Sequence, residues 1–402
     1  RIADKSFGEH APEDLEVLDQ AISEVSVYTA GSLSSLILGP INGAEFARRQ
    51  IGESRPFGFG ALKETLQAAG YQVFMAPYDW RVNADRAAGQ YLKYWIDKAK
   101  DKCGAAKVHI VAHSMGGLVA RAYIQGFAND KAGSRPYAND VDTLVMVGTP
   151  SSGSLNPYWM LEGGDPGGVD SAYLLATSRN AEACLPHFAL LGALPSVFVA
   201  EASVKWWTHK ACFKKWYTEH VPGAANLMAT NASTYSALPL VKGSGANTTQ
   251  VDQFNSIDYS LDVRNLNFGL SKINNPASAG SNIDRLVPLS GPNGASDEVR
   301  TALFLSNGKK TIRNIEVNAP DALYLFGKPS HDGSDILDID KNLMGSTIAG
   351  DGTVPTELAI MPFVPVPISP SDPCVSEAGA GCRVDTPISI VVRHGGYQHM
   401  YL

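Results

Sequence analysis

Ser114 stands in the stretch Val108-His109-Ile110-Val111-Ala112-His113-Ser114-Met115-Gly116-Gly117-Leu118-Val119-Ala120-Arg121-Ala122. A serine hydroxyl attacks a carbonyl carbon only when a base takes its proton and an acid holds that base in the right tautomer. Two later stretches offer those groups in the order serine, acid, base: Asp351 in Gly350-Asp351-Gly352-Thr353-Val354, and His399 in Tyr397-Gln398-His399. Rival acids are Asp332, Asp335, Asp338 and Asp340, in a polar loop that lacks the spacing of an EF-hand and reads as solvated. His394 is the rival base, but a few residues of loop are needed to turn an imidazole back over the serine, which favours His399. His113, beside the nucleophile at a strand end, points away from it and reads as structural or as a supporting hydrogen bonder. His109, on the strand itself, reads as a core histidine.

The elements that position Ser114 are legible around it. Apolar and β-favouring residues run into the serine, and Met115, Leu118, Val119 and Ala122 follow at helical spacing. A strand, a sharp turn and a helix result, with the turn forcing its central residue to positive φ. The residues two before and two after must be small, and Ala112 and Gly116 are. The backbone N–H of Met115, at the helix N-terminus, is then aimed at whatever the serine attacks, as one donor of an oxyanion hole. The plain alternative is a buried serine closing an ordinary strand-to-helix loop.

Around this turn the chain alternates. Phe59–Ala69 has helical spacing and stops at Gly70; Tyr71–Ala76 reads as a strand entering Pro77-Tyr78-Asp79-Trp80-Arg81; a helix carries Leu92, Trp95, Ile96 and Ala99 on one face. Asp142–Val147 is another buried strand, ending in Gly148-Thr149-Pro150-Ser151-Ser152-Gly153-Ser154. Such alternation means an α/β fold, a mostly parallel sheet with helices on both faces. The rhythm then breaks and resumes with strands at Ala322–Phe326 and Ile388–Val392, which divides the chain into a first core part (1–155), a cap or lid insertion (156–310) and a second core part (311–402). Trp206, Trp207, Phe213, Trp216 and Tyr217 cluster in the insertion. They read either as its packing or as a lipid-contacting patch in which Trp206 and Trp207 bind substrate. Residues 1–57 are the least patterned; Ser32–Gly39 offers a short strand and loop.

The 402 residues are 44% hydrophobic and 18% charged, enough for a substantial core, and the net charge of −7 provides no basic footprint for nucleic acid. No apolar run is long enough to span a membrane. Arg rather than Met at position 1 suggests a leader already removed. Of five cysteines, Cys374 and Cys382 bracket a Gly-rich turn and Cys184 and Cys212 bracket a second segment; two disulfides with Cys103 left free are expected, and with them export. The alternative is five reduced thiols in a cytosolic enzyme. No Cys/His spacing suits a zinc site, and no cofactor is called for.

Five stretches in this order resemble the lecithin:cholesterol acyltransferase-like branch of the α/β-hydrolases, which includes lysosomal phospholipases, phospholipid:diacylglycerol acyltransferases and bacterial lipases. They are Gly70-Tyr71 through Ala76-Pro77-Tyr78-Asp79-Trp80-Arg81, Ala112–Gly117, Gly148–Ser154, Gly350–Val354 and Tyr397–His399. The resemblance implies an α/β-hydrolase fold with Ser114 as nucleophile, Asp351 as acid and His399 as base. It also implies a loop that donates a second oxyanion N–H; Leu36–Gly43 is a divergent version of it, or the loop lies upstream of Arg1. The implied activity is hydrolysis of lipid esters through an acyl-enzyme. The alternatives are acyl transfer to an alcohol and lipid binding without chemistry.

Overall fold

The computed structural model describes residues 11–13, 59–154, 222–227, 240–242, 249–250, 268–274, 282–290, 297–311, 315–316, 349–360, 363, 382–385 and 388–393. Helix α1 (Phe59–Ala68) ends where the sequence signals it. Gly70 adopts φ +91°, and the Tyr71 N–H reaches back to the Leu66 carbonyl at 3.0 Å, closing the last turn. Helix α2 (Ala84–Ala87) leads through one π-helical turn, Ala88–Leu92, into α3 (Lys93–Cys103), with Trp95 and Ile96 buried as the spacing predicts.

Strand β1 (Val108–His113) is followed by α4 (Met115–Ile124) and β2 (Val141–Val147). Further along the chain come α5 (Phe268–Ile273), β3 (Leu286–Pro288), β4 (Val299–Ser306), α6 (Thr356–Ile360), β5 (Cys382–Asp385) and β6 (Ser389–Arg393). The main sheet runs β1-β2-β4-β6-β5, with β3 also on β4. Every pairing is parallel except β5 with β6. One edge of β4 holds β2; along the other, β3 pairs with Val299–Thr301 and β6 with Ala302–Ser306. This sheet, with the strand–serine–helix turn on β1, is an α/β-hydrolase core.

Helix α4 packs on β1 and β2. Met115, Leu118, Val119 and Ala122 are buried as expected, and with Leu144, Met146 and Leu303 they belong to the interior. Each large apolar side chain so buried contributes roughly 1.5–3 kcal/mol. The opposite face of β1 is more open, and Val111 is 40% exposed.

Several expectations change. Residues 71–79 form no strand pairing; the segment is held by side chains instead, with the Trp95 indole donating to the Pro77 carbonyl at 3.0 Å and the Tyr71 ring edge-on to His109. His109 is not a core histidine. Its side chain is 51% exposed, and its Nδ1 lies 3.3 Å from Asp142. The strand that flanks β2 is β4, which falls inside the expected insertion, so the second part of the core begins before residue 299 rather than at 311. Arg300 and Thr301 interrupt the apolar run there, and both sit in places that accept them: Arg300 pairs with Asp142, and Thr301 donates to the Val299 carbonyl at 2.9 Å. The expected Ala322–Phe326 strand, residues 1–10 and 14–57, and the aromatic cluster at 206–217 lie outside the described residues. The last strand appears one residue later than expected.

Candidate active site

The turn between β1 and α4 takes the form its sequence demands. Ser114 holds φ 53° and ψ −129°, a conformation that costs a non-glycine residue of order 1–3 kcal/mol. The surrounding bonds hold it there. The Ser114 N–H continues the parallel ladder to the Val147 carbonyl at 2.9 Å, and its own carbonyl accepts the Gly117 N–H at 3.0 Å. Met115 is the first helical residue, so no preceding turn supplies an acceptor for its N–H, and the helix dipole adds partial positive charge there.

Space at the turn is distributed unevenly. A Cβ on Gly116 would lie 3.7 Å from the Ala112 Cβ and 4.0 Å from the Tyr78 hydroxyl, ordinary contacts. A Cβ on Gly117 would lie 2.0 Å from the Thr149 hydroxyl. Thr149 belongs to the loop 148–154, buried throughout, which leaves β2 directly behind the serine. That loop is tied to the surrounding segments by backbone bonds. The Gly148 N–H donates to Phe304, Ser152 to Leu358 and Ser154 to Leu227, at 2.8, 2.8 and 2.7 Å.

Asp351 follows the carboxyl end of β4 as Ser114 follows that of β1, and the two strands run parallel through β2, so both stand at the same end of the sheet. The two-residue pairing of Ala349–Gly350 with Lys309–Lys310, just after β4, carries it there. It is 3% exposed, and its Oδ1 accepts the N–H groups of Thr353 and Val354 at 2.9 and 2.7 Å. Gly350 is obligatory here: a Cβ would strike the Thr311 hydroxyl at 2.1 Å, and that hydroxyl accepts the Gly352 N–H at 2.9 Å. Helix α6 follows, wholly buried, and receives the Ser152 N–H.

The described residues thus bring Ser114, Met115 and Asp351 to one end of the sheet. His399, His394, Trp206, Trp207, the rival aspartates and Leu36–Gly43 lie outside them, as do Cys184, Cys212 and Cys374. Cys103 is a free, exposed thiol. Residues that the sequence did not single out also build the site. Thr149 packs on the turn, Asn226 bonds to α2, and Asn274 bonds to α4 and to the loop 148–154. Thr149 belongs to the Gly148–Ser154 stretch, whereas Asn226 and Asn274 carry no local signal. No described helix is long and apolar enough to cross a membrane.

No curated protein matches the chain. Among solved structures, the crystal structure of the Tle4-Tli4 complex aligns at 15% identity with a TM-score of 0.39, covering 84% of this chain and 67% of that one. The profile of the lecithin:cholesterol acyltransferase family matches residues 47–276, a span holding the Ser114 turn, the loop 148–154 and both asparagines. That span exceeds half of the sequence, and the chain belongs to the lecithin:cholesterol acyltransferase family.

Proposed function

We propose that the protein is a serine hydrolase of lipid carboxylic esters. The observation that carries this reading is the strained backbone of Ser114 at the head of α4, in a chain of an acyl-transferring family. Ser114 Oγ bonds to the ester carbonyl carbon while His399 takes the hydroxyl proton. Asp351 has its Oδ1 held by two backbone N–H groups, and its other oxygen is assigned to orienting the imidazole. The Met115 N–H, with a second donor assigned to the Leu36–Gly43 region, holds the oxyanion; one such donor contributes about 3–4 kcal/mol to transition-state stabilisation. Collapse breaks the ester bond, the alcohol leaves with the proton from His399, and water hydrolyses the acyl-serine.

The cap supplies the lipid contact through Trp206 and Trp207, and disulfides 374–382 and 184–212 suit an exported protein. The family's own name favours a second reading, in which an alcohol rather than water accepts the acyl group.

Intact-mass labelling with a fluorophosphonate on the wild type and on Ser114→Ala tests the nucleophile. One adduct is expected, absent from the variant; no adduct on the folded wild type overturns the reading in favour of lipid binding without chemistry. p-Nitrophenyl esters of rising chain length follow, with product analysis in the presence of an added alcohol. A preference for long chains identifies a lipase, and a new ester product identifies the transferase.

A further inference from the structure

Arg121 lies on α4, two turns beyond the nucleophile, and is 0% exposed. Among the described residues no carboxylate pairs with it. Its Nη2 donates to the Ile273 carbonyl at 3.0 Å and to Asn274 Oδ1 at 2.9 Å, and its Nε donates to Gln125 Oε1 at 3.1 Å. Its face lies 4.8 Å from the centre of the Phe363 ring. A guanidinium desolvated in this way and met, among the described residues, only by neutral oxygens is costly, and burial lowers its pKa to about 9.

Asn274 faces two ways. Its oxygen accepts from Arg121, and its Nδ2 donates to the Ser151 carbonyl at 2.7 Å. The orientation of the amide is forced, because a guanidinium only donates and a carbonyl only accepts. One side chain thereby joins the helix that begins at the nucleophile to the loop that follows Val147, the residue whose carbonyl accepts the Ser114 N–H.

We propose that Asn274 is a positioning residue, an amide latch by which the returning insertion seats the nucleophile helix against the loop 148–154. The proposal rests on the reading of Ser114 as nucleophile. It explains why an amide stands beside a buried guanidinium that no described carboxylate pairs: a carboxylate has no hydrogen to give to the Ser151 carbonyl.

Asn274→Asp separates the two roles, since it keeps an acceptor for Arg121 and adds a counter-charge while removing the donor. Asn274→Ala removes both. On the full chain, Asn274→Asp is expected to keep or raise the wild-type thermal midpoint. Its fluorophosphonate labelling rate and its kcat on a soluble p-nitrophenyl ester should fall about tenfold, with KM within about twofold. Hydrogen exchange in peptides covering residues 148–154 should quicken about tenfold. Asn274→Ala should lose midpoint and rate together. Wild-type labelling, kcat and exchange in Asn274→Asp would overturn the latch, as would a midpoint as low as that of Asn274→Ala, which would leave the amide a packing role only. If the wild type itself does not label, the serine-hydrolase reading fails on its own, and exchange still decides whether the latch exists.

Discussion

A methyl group added at Gly116 meets ordinary contacts, whereas one added at Gly117 meets the Thr149 side chain at 2.0 Å. Gly117→Ala therefore forces a shift in a buried loop that has little room to give, at a cost of about 1–3 kcal/mol. Gly116→Ala avoids this clash and should stay within about 1 kcal/mol of the wild type. Chemical denaturation of the two variants measures the difference, and equal losses would show that the loop yields freely. The need for a small residue at 116 was readable from the turn, because strand and helix meet there. The tighter limit at 117 comes from Thr149, more than one element away in sequence, and no local pattern carries it.

At the scale of the element, α2 shows how a segment distant in sequence completes the core. Its first helical N–H, that of Ala84, is capped by Asn226 Oδ1 at 2.7 Å, from 142 residues away, while the local residue Asn83 makes no side-chain cap. The one-turn segment Pro222–Ala225 fits closely enough that a Cβ on Gly223 would lie 2.0 Å from the Trp80 carbonyl. Asn226→Ala removes the cap and should cost about 1 kcal/mol of unfolding free energy. Asn83→Ala should cost less, and urea titration of both separates them. Helices α1, α3 and α4 were legible because apolar spacing and terminal glycines are local signals. Strand β4 was not, because Arg300 and Thr301 break its apolar run, and the partner of Arg300, Asp142, is brought to it only by the fold. The expected strand at 71–76 does not form for the converse reason: an apolar run promises a ladder, but that ladder needs a partner edge.

For the molecule as a whole, the end of the sheet away from Ser114 sets the response to alkali. The Tyr123 hydroxyl donates to both oxygens of buried Asp140, at 2.8 and 3.0 Å, and burial foremost, then the Asp140 charge, raise its pKa. Burial likewise raises Tyr137 to about 12. Unfolded phenols ionise near pH 10, so above that pH the unfolded chain binds fewer protons than the folded one. The stabilisation these two groups provide is full below about pH 10 and falls as the pH rises from there, the Tyr137 share being lost as the pH passes about 12. Urea midpoints should fall across that window, and less so in Tyr137→Phe. Comparing variant with wild type at each pH isolates the phenol from Arg121, whose lowered pKa acts in the opposite direction. A parallel sheet and a serine turn were legible in the sequence. The ties between distant segments were not, since an asparagine in an irregular stretch looks the same whether it meets water or an orphaned N–H.

The order of strands also governs how the chain reaches this state. Strand β2 waits for β4 to cover its second edge, and their cross-strand pair Asp142 and Arg300 is 158 residues apart in sequence. On a ribosome adding roughly 5–20 residues per second, β1 and β2 emerge many seconds before that partner exists. An apolar strand edge left open for that long invites pairing with another chain. Nascent protein should therefore depend on a holding chaperone until synthesis has passed Ser306.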